Sequence, residues 1–196
     1  MKKIVLLLGA PCSGKGTQGQ RISKYIECIS AGEILRKRYP RGTPEREELD
    51  DGKLIDIDKV NGIMLEYIKA HDFRVVLDGY PRSVDQARFI RSVGEEYGVT
   101  IEVIVLNAAD TRGLEERMHK RTYCEDCGDT FDEMLECCDR ITIKRSDDNK
   151  VTFGKRLRVY EENIDDVLSM FDNKHILNAY DEIESLALKI KYIINS

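Results

Sequence analysis

Residues 4–8, Ile-Val-Leu-Leu-Leu, form an unbroken apolar run that leads directly into a glycine-rich segment, residues 9–17. Such a run is typical of a β-strand that is buried on both faces of a sheet. Glycines in a loop between a strand and a helix let backbone N–H groups surround phosphate oxygens, and Lys15 adds a positive charge there. This P-loop arrangement predicts a phosphate-binding site at the start of the chain.

The loop departs from the strict motif at one position. Ser or Thr normally follows the lysine directly, whereas Gly16 intervenes here before Thr17. The alternative interpretation is a glycine-rich turn that leaves Lys15 in solvent. It is disfavoured because the strand, the loop and the helix all agree with the motif.

Apolar strands alternate with helical segments along the rest of the chain. Residues 73–77 and 101–106 repeat the buried-strand pattern, and Thr43-Pro44 and Ser83 with Gln86 mark helix starts. We therefore predict an α/β fold, a P-loop NTPase-type parallel sheet with helices on both faces. Asp78 ends the second strand, where a carboxylate can hold a water on Mg²⁺.

Charge and composition exclude several classes of protein. Lys plus Arg number 31 and Asp plus Glu 36, a net charge of −5, which disfavours a general nucleic-acid binder. No apolar run approaches the roughly 20 residues of a membrane span, and the signal-like start is interrupted by the glycine-rich loop. We expect a cytoplasmic protein, in which six cysteines indicate metal or free thiols before disulfides.

Several separated segments share a resemblance to one family. Residues 29–36 (Ile-Ser-Ala-Gly-Glu-Ile-Leu-Arg) and 77–82 (Leu-Asp-Gly-Tyr-Pro-Arg) resemble the acceptor motifs of adenylate kinases and their nucleoside-monophosphate kinase relatives. Further matches are Glu116-Arg117, Arg121, Arg145-Ser146-Asp147-Asp148 and Arg156-Leu157. The resemblance implies a core domain of residues 1–29, 59–121 and 157–196, an NMP-binding insert at 30–58 and a lid at 122–156. A monomer is expected, because the inserts must swing.

The resemblance also implies the reaction, reversible phosphoryl transfer from Mg-ATP to AMP that gives two ADP. ATP and a monophosphate bring about six negative charges together, which positive side chains must meet. Arg36 and Arg82 would grip the monophosphate, Arg121 the ATP phosphates, and Arg145 and Arg156 the groups between. Arg117 would lie over the adenine of ATP. No catalytic base is needed, because the acceptor phosphate is largely dianionic near neutral pH.

Three sets of residues follow from this resemblance. The expected catalytic residues are Lys15, Arg82, Arg121, Arg145 and Arg156. The expected ATP site comprises Cys12, Ser13, Gly14, Lys15, Gly16, Thr17, Arg117 and Arg121. The expected AMP site comprises Ala31, Arg36, Lys53, Leu54, Ile55, Gly79, Arg82, Gln86, Arg145 and Arg156.

The acceptor base is indicated by two residues that disagree. Ala31 stands where adenylate kinases generally carry Thr and resembles kinases of UMP and CMP. Gln86 resembles the adenylate pattern, since a primary amide can both donate to and accept from adenine. A capping box with Ser83 would instead use the Gln86 side chain locally. AMP is favoured, with a UMP/CMP kinase as the alternative.

Four cysteines fall inside the predicted lid. Cys124 and Cys127 form a Cys-x₂-Cys pair, and Cys137-Cys138 follows ten residues later. They resemble the zinc-bearing lids of some bacterial adenylate kinases, in which zinc would be structural. Adjacent cysteines reach one ion only from a turn, so Asp139 or Glu136 are alternative ligands. Free thiols or a redox pair are the alternatives to zinc.

Two other classes of function share part of this pattern. A P-loop switch or regulatory ATPase would share Lys15 and Asp78 but not the acceptor and lid arginines. A zinc-ribbon nucleic-acid module would explain the cysteines, yet residues 122–139 carry many acids and few aromatics.

Overall fold

A computed structural model describes residues 2–145 and 148–196, so Ser146 and Asp147 of the matching segment 145–148 lie outside the described residues. The strands are β1 (Lys3–Gly9), β2 (Glu27–Ser30), β3 (Arg74–Asp78), β4 (Thr100–Asn107), β5 (Thr122–Tyr123), β6 (Thr130–Phe131), β7 (Glu136–Cys137), β8 (Arg140–Ile141) and β9 (Lys174–Asn178). The helices are α1 (Lys15–Ile22), α2 (Ala31–Arg38), α3 (Pro44–Asp50), α4 (Ile57–Ala70), α5 (Val84–Tyr97), α6 (Thr111–Lys120), α7 (Lys150–Ser169) and α8 (Ile183–Asn195).

The central sheet has five strands in the order β2-β3-β1-β4-β9, and every neighbouring pair is parallel. Because β1 lies in the middle, the loop after it opens at the carboxyl edge of the sheet, flanked by the ends of β3 and β4. This arrangement confirms the predicted α/β fold. Ligands of open parallel sheets bind at this edge.

The apolar run of β1 is buried on both faces, as its composition predicts. Ile4, Leu6 and Leu8 pack in the core on one side of the sheet, and Val5 and Leu7 pack on the other side. The first core is covered mainly by α4, α5 and α7, and the second by α1 and α8. Both faces are therefore apolar, which holds the strand, and the loop that follows it, rigidly in place.

Local signals correctly located the starts of α3 and α5, at the caps Thr43 and Ser83. The Thr43 hydroxyl accepts from the Arg46 backbone N–H at 3.3 Å, Pro44 begins α3, and Gly52 follows its end with φ +78°. The sequence did not single out β9. Within the described residues that strand pairs only with β4, at the edge of the sheet. Its Lys174 and Ile176 are exposed, and it lacks the continuous apolar run of the central strands.

Two segments leave the sheet where the regular alternation is interrupted. The first contains α2 and α3, between β2 and α4. The second contains two small antiparallel pairs, β5–β6 and β7–β8, with a bridge between Tyr123 and Ile143. None of the described helices is both long enough and apolar enough to cross a bilayer.

Candidate active site

The loop after β1 is closed by its own lysine. Lys15 Nζ donates to the backbone carbonyls of Gly9 and Ala10, each at 2.8 Å. Gly9 must be glycine, because a Cβ there would lie 2.7 Å from the Leu106 carbonyl oxygen. Gly14, at φ +97°, turns the chain into α1. The loop and the first turn of α1 therefore present backbone N–H groups to the carboxyl edge of the sheet.

Lys15 and Asp78 are oppositely charged groups at the base of this loop that act on each other electrostatically. Burial lowers the pKa of Lys15 to about 8, and the carboxylate of Asp78 opposes that shift. Burial raises the pKa of Asp78, and Lys15 is the largest opposing influence. Each charge is therefore held in the cavity by the other, in a site where charges interact strongly.

A cavity of about 440 Å³ lies above the loop. It is bounded by residues 11–20 of the P-loop and α1, by α2, by the end of β3 and by residues 127–132. All six cations of the expected phosphate site line it, although they are spread over more than 140 positions of the chain. They are Lys15, Arg36, Arg82, Arg121, Arg145 and Arg156.

Two of these arginines are held by backbone or carboxylate oxygens close to them. Arg82 Nε donates to the Gly79 carbonyl at 2.8 Å, and Gly79 has φ +70°, which favours glycine. Arg121 Nε donates to a carboxylate oxygen of Asp148 at 2.8 Å, and the Asp148 side chain is only 2 % exposed. Asp148 belonged to a motif of the resemblance, but its pairing with Arg121, 27 residues away, has no local signal.

The two arginines that follow β8 contact other parts of the site. Arg145 lies over the Tyr123 ring, with Cζ 5.0 Å from the ring centroid. Arg156 Nη2 donates to the Leu49 carbonyl at 3.3 Å. A Cβ on Gly52 would lie 3.2 Å from the side-chain Cγ of Arg156. The start of α7 is therefore packed directly onto the end of α3.

A second, small cavity of about 20 Å³ adjoins the first and shares lining residues with it. Five residues of the expected AMP site that carry no charge line it, together with Lys53 and Arg82: Ala31, Leu54, Ile55, Gly79 and Gln86. The sequence did not predict the other four lining residues, which are Leu35, Leu49, Val60 and Tyr80. Leu49 and Val60 belong to no motif. Leu35 and Tyr80 lie within motifs that were singled out for their neighbours. The Tyr80 hydroxyl donates to Asn61 Oδ1 at 2.6 Å.

Gln86 makes only half of the capping box. The Ser83 hydroxyl accepts from the Gln86 backbone N–H at 3.3 Å, but Gln86 Oε1 accepts from the Arg82 backbone N–H at 2.7 Å. Because a backbone N–H needs an acceptor, the side-chain oxygen is assigned to Arg82 and the NH₂ group remains as a donor. Gln86 is 3 % exposed and borders the small cavity.

The four cysteines of residues 124–138 converge on one point. Their Sγ atoms all lie within 4.8 Å of one another, with Cys127 and Cys137 at 3.6 Å. Zinc–thiolate bonds of about 2.3 Å require sulfur atoms about 3.8 Å apart, so the set fits a tetrahedral zinc site. Among the described residues this group contains neither Asp139 nor Glu136.

A tight turn explains how adjacent cysteines point to one place. Cys138 and Asp139 join β7 to β8 with φ values of +52° and +61°, the two positive values of a type I′ hairpin. The turn that the sequence argument required for Cys137 and Cys138 is therefore present. The other two cysteines lie elsewhere. Cys12 lines the large cavity, and Cys28 lies within β2 rather than beside it, against Gly19.

Comparison with known proteins agrees with the geometry. Residues 7–176 match the family model described as "Adenylate kinase". The chain is 32% identical to a protein named adenylate kinase from Geobacter sulfurreducens, over 98% of both chains. It is 30% identical to one from Bacillus subtilis, over 97% of both chains, and 30% identical to one from Archaeoglobus fulgidus, over 95% of this chain and 99% of the relative.

Proposed function

The chain belongs to the adenylate kinase family, and from that premise we propose how its own residues carry the reaction of an ATP:AMP phosphotransferase. The enzyme transfers a phosphoryl group reversibly between ATP and AMP to give two ADP. One observation supports the proposed roles above all others: six cations from distant parts of an acidic chain line one cavity.

The donor phosphates are held by the P-loop and by the cations nearest to it. Backbone N–H groups at the start of α1 and the Lys15 ammonium face the cavity, and Arg121 lines the same cavity. ATP takes part as its Mg²⁺ complex, and the metal supplies charge neutralisation of the phosphates. Asp78 is the acidic residue beside Lys15 that would hold a water on this ion.

The acceptor phosphate is held by Arg36 and Arg82, and Arg145 and Arg156 lie between the two nucleotides. Because the AMP phosphate is already largely dianionic, positioning and electrostatic stabilisation of the transferred group are sufficient for catalysis. Preorganised guanidinium groups suit this task, since each offers a planar fork of donors to phosphate oxygens. The contacts of Arg82 with Gly79 and of Arg156 with Leu49 hold these groups before substrate arrives.

We propose that residues 30–58 and 122–156 are the two mobile inserts around a core of residues 1–29, 59–121 and 157–196. Contacts between them support this division. Arg41 pairs with Glu125 at 3.7 Å, and Lys155 pairs with Asp51 at 3.3 Å. A cover that closes only over both nucleotides would exclude water, which otherwise competes with AMP for the phosphoryl group.

Membership of the adenylate kinase family supports AMP over UMP and CMP as acceptor. Gln86 offers its NH₂ donor at the wall of the small cavity, which suits the ring nitrogen acceptor of adenine. The buried Ala31 offers no hydroxyl for any base. Initial rates with AMP, UMP, CMP and GMP at equal concentrations test this choice, and a faster rate with UMP or CMP would reverse it.

We propose that Cys124, Cys127, Cys137 and Cys138 hold a structural zinc ion. Four protein ligands leave no open position for substrate, and the two small hairpins have little apolar core of their own. A thiolate site also requires a reducing compartment, which accords with a cytoplasmic enzyme. We further propose a monomer, because the inserts must move, and light scattering of the eluting protein tests it.

One assay distinguishes this function from the two other classes. ADP formation from ATP and AMP is followed with a coupled enzyme assay. A kinase forms ADP only when both nucleotides are present. A regulatory ATPase or P-loop switch would bind or hydrolyse ATP without dependence on AMP, and a nucleic-acid module would show neither activity.

A further inference from the structure

Arg117 rests on an aromatic ring that is outside the cavity. Its Cζ lies 4.8 Å from the centroid of Tyr180, the distance of a cation–π contact. Arg117 itself lines the cavity beside the P-loop, and a Cβ on Gly14 would lie 3.9 Å from its Nη1. Tyr180 is not part of that lining. The ring therefore supports the guanidinium group from behind.

The Tyr180 ring is itself held in place by α6. Its hydroxyl donates to the backbone carbonyl of Asp110, directly before the helix. Gly113, in the first turn, leaves the space that the ring fills, since a Cβ there would lie 2.6 Å from the Tyr180 hydroxyl oxygen. Two independent contacts thus fix the Tyr180 side chain, although the residue is 38 % exposed to solvent.

The ring of Tyr180 is the contact that fixes the position of the Arg117 guanidinium group. Among residues 2–145 and 148–196, no carboxylate pairs with its guanidinium group, and the ring of Tyr180 is its aromatic contact. A planar guanidinium has two faces. With one face on Tyr180, the other is available to a flat group in the cavity.

We propose that Tyr180 is a positioning residue for the donor nucleotide, which holds the Arg117 plane so that it stacks on the purine of ATP. This inference rests on the proposed function, in which Arg117 would lie over the adenine of ATP as the family resemblance implies. Without the ring, the long Arg117 side chain must lose its rotamer freedom on binding ATP. The cost falls on binding of the base and not on transfer between the phosphates.

The first test replaces Tyr180 by Leu and by Phe in the full chain. Tyr180→Leu is expected to raise the KM for ATP about five- to tenfold, and to change kcat and the KM for AMP less than twofold. Tyr180→Phe keeps the ring on Arg117 and is expected to restore the KM for ATP to within about twofold of the original. A KM for ATP that is unchanged in Tyr180→Leu, or lost equally in both variants, overturns the proposal.

Two further measurements separate positioning from a general structural effect. Tripolyphosphate has no base, so its affinity, measured by competition with ATP, is expected to be equal in Tyr180→Leu and the parent. In an Arg117→Ala background, Tyr180→Leu is expected to add no further loss of ATP affinity, because the group it positions is gone. Equal loss of tripolyphosphate, or additive losses in the double variant, contradicts the inference.

Gly113→Ala provides a variant that does not remove the ring. Alanine favours the helix, so α6 is expected to persist, while the new Cβ displaces the Tyr180 hydroxyl. The KM for ATP is expected to rise as in Tyr180→Leu, and a normal KM contradicts the inference. If the parent enzyme forms no ADP from ATP and AMP, the proposed function fails. If it does and these variants bind ATP normally, only the role of Tyr180 fails.

Discussion

Gly128, in the loop between Cys127 and β6, lies directly against the carboxylate of Glu33 on α2. A Cβ on Gly128 would be 2.9 Å from both Cδ and Oε1 of Glu33, and its φ of +82° also favours glycine. The loop of the cysteine cluster and α2 therefore touch at one point on the wall of the cavity. Burial raises the pKa of Glu33, which the nearby charge of Arg145 opposes.

This contact predicts that Gly128→Ala hinders closure over the substrates. The methyl group must displace Glu33, so kcat is expected to fall about tenfold. Gly42→Ala is the matched control, because Gly42 has φ +90° with nothing within 4 Å of a Cβ. Both variants carry the cost of a left-handed alanine, about 1–2 kcal/mol in stability. Steady-state rates and thermal unfolding separate the two effects, and equal rates in both variants would contradict the steric argument.

Arg82→Ala is expected to lower phosphoryl transfer by orders of magnitude while the fold survives. Arg82 lines the cavity and has no role in the core, so its loss removes charge stabilisation and not packing. Arg88→Ala is the control. Arg88 lies in α5, shortly after Arg82, and forms an exposed ion pair with Asp85 at 2.8 Å. Rates are measured at saturating ATP and AMP, with the unfolding midpoint as the check on folding. Near-normal turnover of Arg82→Ala would refute its assignment.

Binding of ATP is expected to take up protons near pH 8. The pKa of Lys15 is lowered to about 8 in the free protein, so at that pH about half of the molecules carry a neutral lysine. Triphosphate favours the charged form and raises this pKa, so binding draws about half a proton from solvent at pH 8 and almost none at pH 6. Calorimetry in two buffers of different ionisation enthalpy measures the uptake. Lys15→Met should abolish the proton uptake. Proton release at pH 8 in the parent protein would contradict the prediction.

The same shift predicts how stability depends on pH. The folded pKa of Lys15 lies below its unfolded value of 10.5, so the unfolded chain binds more protons between about pH 8 and 10.5. The contribution of this lysine to the unfolding free energy therefore rises with pH across that window. Urea unfolding of the parent and of Lys15→Met at pH 7.5 and 9.5 isolates it. A difference between the two proteins that does not change with pH would contradict the prediction.

The cysteine cluster is expected to bind zinc through all four of its thiolates. Protein purified without chelator should contain one zinc per chain, and Cys137→Ser or Cys138→Ser should contain well under one. Cys28→Ala is the control, because Cys28 packs against Gly19 far from the cluster. Asp139→Ala should keep its zinc. Loss of zinc from Asp139→Ala but not from Cys138→Ser would assign the fourth ligand to the carboxylate.

Gln86→Glu is expected to raise the KM for AMP and leave the KM for ATP unchanged. The carboxylate still accepts from the Arg82 backbone N–H, but the NH₂ donor at the small pocket is lost. Ser83→Ala removes the helix cap, at about 1 kcal/mol of stability, without touching the pocket. Initial rates with each substrate varied in turn distinguish the two. A normal KM for AMP in Gln86→Glu would show that its side chain serves only the backbone.

Much of the core could be predicted because its signals are local. The apolar run of β1, the glycines of the P-loop and the cap at Thr43 each act within a few residues, so the sequence displays them directly. The edge strand β9 was not predicted, because it lacks the continuous apolar run that marks a central strand. Its Lys174 and Ile176 are exposed at the edge of the sheet. The structure also brings together the arginines that the family resemblance singled out.

The sequence by itself determined the phosphate loop, the alternation of strands and helices and the pair of cysteines at Cys124 and Cys127. Only the tertiary structure decided which side chains support the arginines: Asp148 for Arg121, Tyr123 for Arg145 and Tyr180 for Arg117. These partners are 22 to 63 residues apart and share no periodicity, because packing between separate elements, and not backbone propensity, brings them together.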